Sequence, residues 1–180
     1  MPKALRIQFD DLETFVHTKC KPVSVTLAVE EKTRRILDFE VSQMPAKGRL
    51  AKRALKLYGP REDHRPEARD LLFKRLTKLV EPLAKITSDS NPHYPSVVRK
   101  YFPRAEYKTV LGGRSAVSGQ GELKKVGFDP IFSLNHTFAM LRDHISGLVR
   151  KTWGGHKSIR HLELAIAIYA TEHNHRLSTA

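Results

Sequence analysis

Val23, Val25, Leu27 and Val29 alternate with Ser24, Thr26, Ala28 and Glu30, the period-two signature of a strand with one buried face. Leu37, Phe39 and Val41 alternate in the same way with Ile36, Asp38 and Glu40. The polar link Glu30-Glu31-Lys32-Thr33 between the two runs is turn-sized, so the pair reads as an antiparallel hairpin. Leu5 to Phe9 precedes it as a third strand. A basic helical connection follows from Lys47 to Tyr58, broken by Gly59-Pro60. The pattern then predicts a helix from about Pro66, with Leu72, Phe73, Leu76, Leu79 and Val80 at helical spacing and Pro82 ending it. Lys85-Ile86-Thr87-Ser88 forms a strand into Asp89, Pro95 to Tyr101 a short helix, and Ala105 to Leu111 a fifth strand. The stretch from Gly112 to Gly127 is rich in Gly, Ser and Lys, has no period, and predicts a mobile loop. Phe132, Leu134, Phe138, Leu141, Ile145, Leu148 and Val149 recur at three- and four-residue steps up to Trp153, and a last helix runs from Ile159 to about Glu172.

The order is three strands, helix, strand, helix, strand, helix. Three antiparallel strands followed by two right-handed crossovers place the Asp89 strand beside the first one. The expected architecture is therefore α/β, a five-stranded mixed sheet flanked by helices in the ribonuclease H-like arrangement, with residues 1–180 as a single domain.

Charge changes the picture next. The chain of 180 residues carries 32 Lys and Arg against 19 Asp and Glu, a formal +13, which favours a polyanionic partner and nucleic acid above all. Its 40% hydrophobic content suffices for a real core. The sequence has no apolar run long enough to span a bilayer, and Met1-Pro2-Lys3-Ala4 lacks the pattern of a signal peptide, so a cytoplasmic, nucleoid-associated location is expected. Cys20 is the single cysteine and can make no internal disulfide or cysteine-based zinc site.

Two aspartates carry the candidate chemistry. Asp10 ends the run Leu5 to Phe9 and Asp89 ends Lys85 to Ser88. On adjacent parallel strands their carboxylates converge at one sheet edge, where a pair of oxygen-ligand acids holds Mg²⁺ or Mn²⁺. The competing reading of each is an ordinary strand end or helix cap.

Phe9-Asp10-Asp11-Leu12-Glu13-Thr14-Phe15-Val16 resembles the first catalytic motif of bacterial insertion-sequence DDE-type transposases, in which an acidic pair precedes a Thr-Phe-Val run. Leu27-Ala28-Val29 with Arg35-Ile36-Leu37-Asp38-Phe39-Glu40-Val41 resembles that family's hairpin. Thr87-Ser88-Asp89-Ser90, with Tyr94 after it, resembles its second motif. Leu134-Asn135-His136-Thr137, Leu141-Arg142 and Leu148-Val149-Arg150-Lys151-Thr152-Trp153 resemble the helix that supplies the third acid and ends in Arg-Lys-Thr; Tyr169 and His173-Asn174-His175-Arg176 resemble its terminal Tyr-Asn-Arg pattern. The resemblance spans roughly Ile7 to Arg176. It implies that Asp10, Asp89 and Asn135 are the catalytic and metal-ligating positions, with Asn135 standing where the family usually has glutamate. A neutral amide still offers an oxygen to Mg²⁺ but one charge fewer. Asn135 has an equal claim as a helix N-cap, and Glu122 and Asp143 are rival third acids.

The resemblance further implies metal-assisted cleavage and strand transfer at DNA phosphodiesters, with homo-oligomers in the DNA complex. Lys47, Arg49, Lys52, Arg53 and Lys56 would meet phosphates, as would Arg114, Lys124, Lys125, Arg142, Arg150 and Lys151, although each one singly reads equally as solvated surface. His136 is a candidate phosphate contact or proton carrier. The spacing His173-Asn174-His175 invites a metal reading but more often means polar surface. An N-terminal DNA-recognition domain, usual in the family, is expected to be missing or supplied by an upstream product. Two alternatives stand beside the transposase reading: a non-catalytic nucleic-acid-binding remnant, and a ribonuclease H-like nuclease.

Overall fold

The computed structural model describes residues 2–111, 129–149 and 154–179. β1 (Ala4–Phe15), β2 (Pro22–Glu30) and β3 (Ile36–Gln43) form an antiparallel meander, followed by a 3-10 turn (Gly48–Leu50), α1 (Ala51–Tyr58) and α2 (Arg65–Leu76). Then come β4 (Val80–Asp89), α3 (Tyr94–Tyr101) and β5 (Glu106–Val110). α4 (Phe132–His144), a second 3-10 turn (Ser146–Leu148) and α5 (Ile159–Thr179) complete the described chain. The sheet order is β3-β2-β1-β4-β5, with β1–β2 and β2–β3 antiparallel and β1–β4 and β4–β5 parallel. This is the five-stranded mixed α/β sheet of the ribonuclease H-like arrangement.

Each face of the sheet is closed by two helices. On one face Leu12, Val25, Leu27 and Val29 pack with Leu134, Phe138 and Leu141 of α4 and Leu162 and Ile166 of α5. On the other, Ile7, Phe9 and Ile86 pack with Leu72, Phe73 and Leu76 of α2 and Tyr94, Val97 and Val98 of α3. Phe9 meets Phe73 edge-on at 4.9 Å and Tyr94 at 4.8 Å, offset geometries that add to the area each ring buries. β2 is buried on both sides, not one as its alternation suggests, because α2 covers the small residues Ser24, Thr26 and Ala28.

Four boundaries differ from the sequence pattern. β1 does not stop at Asp10 but continues to Phe15, held by its antiparallel pairing with β2 as far as Phe15↔Pro22. α2 ends at Leu76, and Val80 opens β4 instead of extending the helix: Val80 pairs with Ala4, and the Ala4 N–H donates to Leu79 O at 2.8 Å. Pro82 thus lies inside a strand, and the register shift between Ala4 and Arg6 absorbs it, since a bulge is where a strand tolerates a residue without an N–H. The helix read from Phe132 to Trp153 ends at His144, where Ile145 turns extended (φ −102°, ψ 97°) into the second 3-10 turn. There a Cβ on Gly147 would come within 2.3 Å of the His156 ring, so the chain passes His156 only because Gly147 has none. α5 runs past Glu172 to Thr179.

Gln8 fixes α4 onto the sheet. Buried at 2% exposure, its Nε2 donates to Pro130 O at 3.0 Å and its Oε1 accepts the Leu134 N–H at 3.1 Å, satisfying a helix N-terminal donor that has no partner within the helix. Gln8→Ala is expected to lower unfolding free energy by about 2–3 kcal/mol, through a cavity and an unpaired buried N–H, measured by urea denaturation; a loss under about 0.5 kcal/mol would contradict this role.

Candidate metal centre

Asp10 and Asp89 meet as the sequence order requires. β1 and β4 are parallel with Gln8 opposite Thr87, and the two aspartates stand two residues further along each strand. β4 ends at Asp89, whose Oδ1 accepts the Asn91 N–H at 3.0 Å and turns the chain toward α3. Asp10 Oδ1 accepts from the Asp11 N–H at 2.7 Å and from the Tyr94 hydroxyl at 2.8 Å. Both bonds fall on one oxygen, so Oδ2 is left for another partner.

The electrostatics follow from this crowding. The Asp10 carboxyl is pushed up from 3.8 to about 7, first by burial and then by the negative charge of Asp89, against the lowering effect of its two hydrogen bonds. Tyr94, fully buried, is held above the ordinary phenol range by burial and next by the charges of Asp11 and Asp10, so it remains a donor. Arg69 supports it from beneath. This guanidinium, 4% exposed, lies 5.3 Å from the Tyr94 ring centre and pairs with Asp11 at 3.2 Å. Thr26 Oγ1 donates to the other oxygen of Asp11. Asp11 is thereby matched by its own partners, and Asp10 is the member of the acidic pair left to face Asp89. The sequence pattern alone did not single out Arg69, because a lone Arg in a helix reads as surface; only its contact with Asp11 from α2 distinguishes it.

Asn135 is not an N-cap. It lies inside α4, whose cap position is Ile131, and its Nδ2 donates to Asp129 Oδ2 at 2.8 Å. Asp129 Oδ1 accepts the Ile131 N–H at 3.1 Å, in the turn that leads into α4. Through Gln8, this Asp129–Asn135 pair is anchored to β1 by the side chain two residues before Asp10. Asp129 went unnoticed in the sequence because it borders an aperiodic stretch; a carboxylate six residues before Asn135 was the available signal. The rival acid Asp143 is exposed on α4, and Glu122 lies outside the described residues.

The donor set fits a hard divalent cation. Two carboxylates, one with an uncommitted oxygen, suit Mg²⁺ or Mn²⁺, which keep several waters and take one or two protein acids together with substrate phosphate oxygens. Among the described residues, groups of three or more His, Cys, Asp or Glu placed to hold a metal are absent, so Asp10 and Asp89 are the carboxylates the described chain offers at this edge.

The basic residues divide. Arg49, Lys52 and Arg53 are exposed on the first 3-10 turn and α1. Lys47 is exposed but paired with Glu13 at 2.8 Å. Arg142 is half-buried on α4. Arg150 and Lys151 lie outside the described residues, as do Arg114, Lys124, Lys125 and Trp153. His136 sits against Arg34, with Arg34 Nη1 3.2 Å from both ring nitrogens, and is held below its ordinary value by burial and then by Arg34. His173 donates to Arg34 O, and Asn174 bonds the backbone of Ile36, so this stretch clamps α5 to the hairpin. Among the described residues, no helix is long and apolar enough to cross a membrane. A scan against protein-family models matches none, and a search of the curated proteins finds no match.

The raised Asp10 carboxyl has a definite pH signature. Its folded value, about 7, exceeds the ordinary 3.8, so the folded chain keeps a proton that the unfolded chain has released. The stabilisation that Asp10 contributes is therefore fully present below about pH 4, is lost as pH rises toward about 7, and is absent above that. Metal-free Asp10→Asn is expected to melt several degrees above the parent at about pH 8 and close to it at about pH 4; parallel pH curves in thermal melts would contradict the assignment.

Proposed function

We propose that this chain is a metal-dependent DNA-processing domain that cleaves and transfers DNA strands, the catalytic domain of a DDE-type transposase. The observation that carries the reading is the meeting of Asp10 and Asp89 on adjacent parallel strands, one of them crowded enough to be lifted to about 7. A carboxylate pair that costs the fold stability is expected where its charge is used. The +13 net charge and the exposed Arg49, Lys52 and Arg53 support a polyanionic substrate. The finer identity rests on the motif run from Phe9 to Val16 and its later counterparts.

In this reading Asp10 and Asp89 hold Mg²⁺ or Mn²⁺, which when bound supplies Lewis-acid stabilisation at the phosphate and activates the attacking oxygen. The chain's own residues do the positioning. Tyr94 and the Asp11 N–H fix one oxygen of Asp10 and so aim the other. Asn91 fixes Asp89 at the strand end. The exposed arginines and lysines before and within α1 contact backbone phosphates without reading sequence. Any oligomer, and any upstream recognition domain, would add the specificity for element ends.

A second reading, a nucleic-acid-binding remnant without chemistry, draws on Asn135, an amide already engaged by Asp129 in place of an acid. Plasmid nicking and strand transfer in Mn²⁺ separate the two. The parent is expected to cleave, and Asp10→Asn to lose at least about a hundredfold in rate while retaining salt-sensitive DNA binding. No cleavage by the parent, or unchanged cleavage by Asp10→Asn, would refute the catalytic reading.

A further inference from the structure

A cavity of about 730 Å³ opens between α4, α5 and the turn joining β2 to β3, lined in part by Arg34, His136, His144, Tyr169, His173 and Arg176. Neither Asp10 nor Asp89 lines it. Hydrogen bonds within the chain hold its walls in place. Asn174 Nδ2 donates to Ile36 O at 2.8 Å and Asn174 Oδ1 accepts the Ile36 N–H at 2.9 Å, a two-point clamp of α5 on β3. The adjacent His173 Nε2 donates to Arg34 O at 3.0 Å. Arg34 takes φ 64°, the left-handed region that few residues other than Gly, Asn and Asp occupy, and from there its guanidinium reaches His136 on α4. A strained residue held by contacts on two helices is a feature that functional sites concentrate.

Two properties of the cavity point to the same ligand. The first is charge. Among the described residues Arg34 pairs with no carboxylate, and its guanidinium keeps donors beyond the one directed at His136. Glu172 is the one carboxylate among the described lining residues, and Arg176 on the next turn of α5 already neutralises it. The second is a flat surface. Tyr169 is stacked between His144 and His173, with ring centres 5.7 and 5.6 Å away and planes 26° and 18° apart. His144 is exposed and lines the cavity. A free guanidinium recognises a phosphate by paired N–H donors, and a ring row accepts a base of any sequence through its π-face.

We propose that this cavity holds one nucleotide of a single-stranded nucleic acid, its phosphate on Arg34 and its base continuing the His144–Tyr169–His173 row. The volume lies in the range of about 300–1,000 Å³ usual for small-ligand pockets. A free inorganic anion would use Arg34 but leave the stacked row idle, and the +13 charge of the chain disfavours a basic partner. The site shares its class of partner with the function proposed above but not its chemistry, since nothing in it calls for a metal ion.

The test is fluorescence anisotropy of a short labelled single-stranded DNA titrated with the full chain in EDTA, which removes the metal-dependent reaction from the readout. Tyr169→Leu and His144→Ala are each expected to weaken binding about tenfold, the scale of one lost base stack, and Arg34→Gln by a similar factor. A strand carrying abasic sites throughout should bind the parent about as weakly as Tyr169→Leu binds the normal strand. Arg34 also braces His136, so far-UV circular dichroism and melting accompany that variant; the exposed His144→Ala carries the test should Arg34→Gln unfold. Binding unchanged in His144→Ala and Tyr169→Leu, or equal binding of normal and abasic strands by the parent, would overturn the proposal. Either result stands whether or not the protein cleaves DNA, so failure here and failure of the catalytic reading are told apart.

Discussion

The parallel register that sets Gln8 against Thr87 is the constraint on which the rest of the structure depends. It carries two aspartates to the same level of adjacent strands, where burial and the charge of Asp89 oppose the ionisation of Asp10. A fold selected for stability alone would place an apolar or hydrogen-bonded pair there. The surrounding residues reduce the cost without removing it: Tyr94 and the Asp11 N–H bond one oxygen of Asp10, and Arg69 with Thr26 takes up Asp11. The same residues hold the carboxylate in a fixed orientation, which is what a cation site needs.

The two faces of the sheet serve this edge differently. On the α2 and α3 face, Phe9, Phe73 and Tyr94 form an aromatic contact set that locks the Tyr94 hydroxyl toward Asp10. On the α4 and α5 face, Gln8 ties the first turn of α4 to β1, while Asn174 ties α5 to β3. These polar residues thus act as fixed links between helices and strands, Gln8 two residues from Asp10 and Asn174 next to His173 of the cavity wall.

Much of the architecture was legible in the sequence. The alternation at Val23 to Val29 and Leu37 to Val41 gave the hairpin, and the strand–helix order gave the crossovers that join Asp10 to Asp89. Boundaries were less legible for a specific reason. Val80 fits a helical spacing with Leu76, and only its pairing with Ala4 decides for a strand; Ile145 and Leu148 continue the period of α4, and only the His156 ring over Gly147 shows why the chain leaves the helix. The placement of Asp10 and Asp89 at one level followed from the strand order, but Arg69 against Asp11 and His144 against Tyr169 are contacts between elements far apart in sequence, which no local pattern encodes.

The central claim is that Asp10 and Asp89 form one cation site, and calorimetric titration of the purified chain with Mn²⁺ tests it most directly. The account predicts saturable binding by the parent, accompanied near neutral pH by proton release as the raised Asp10 carboxyl ionises onto the metal, and none by a folded Asp10→Ala, Asp89→Ala double variant. Equal binding by parent and variant, or none by either, would contradict it.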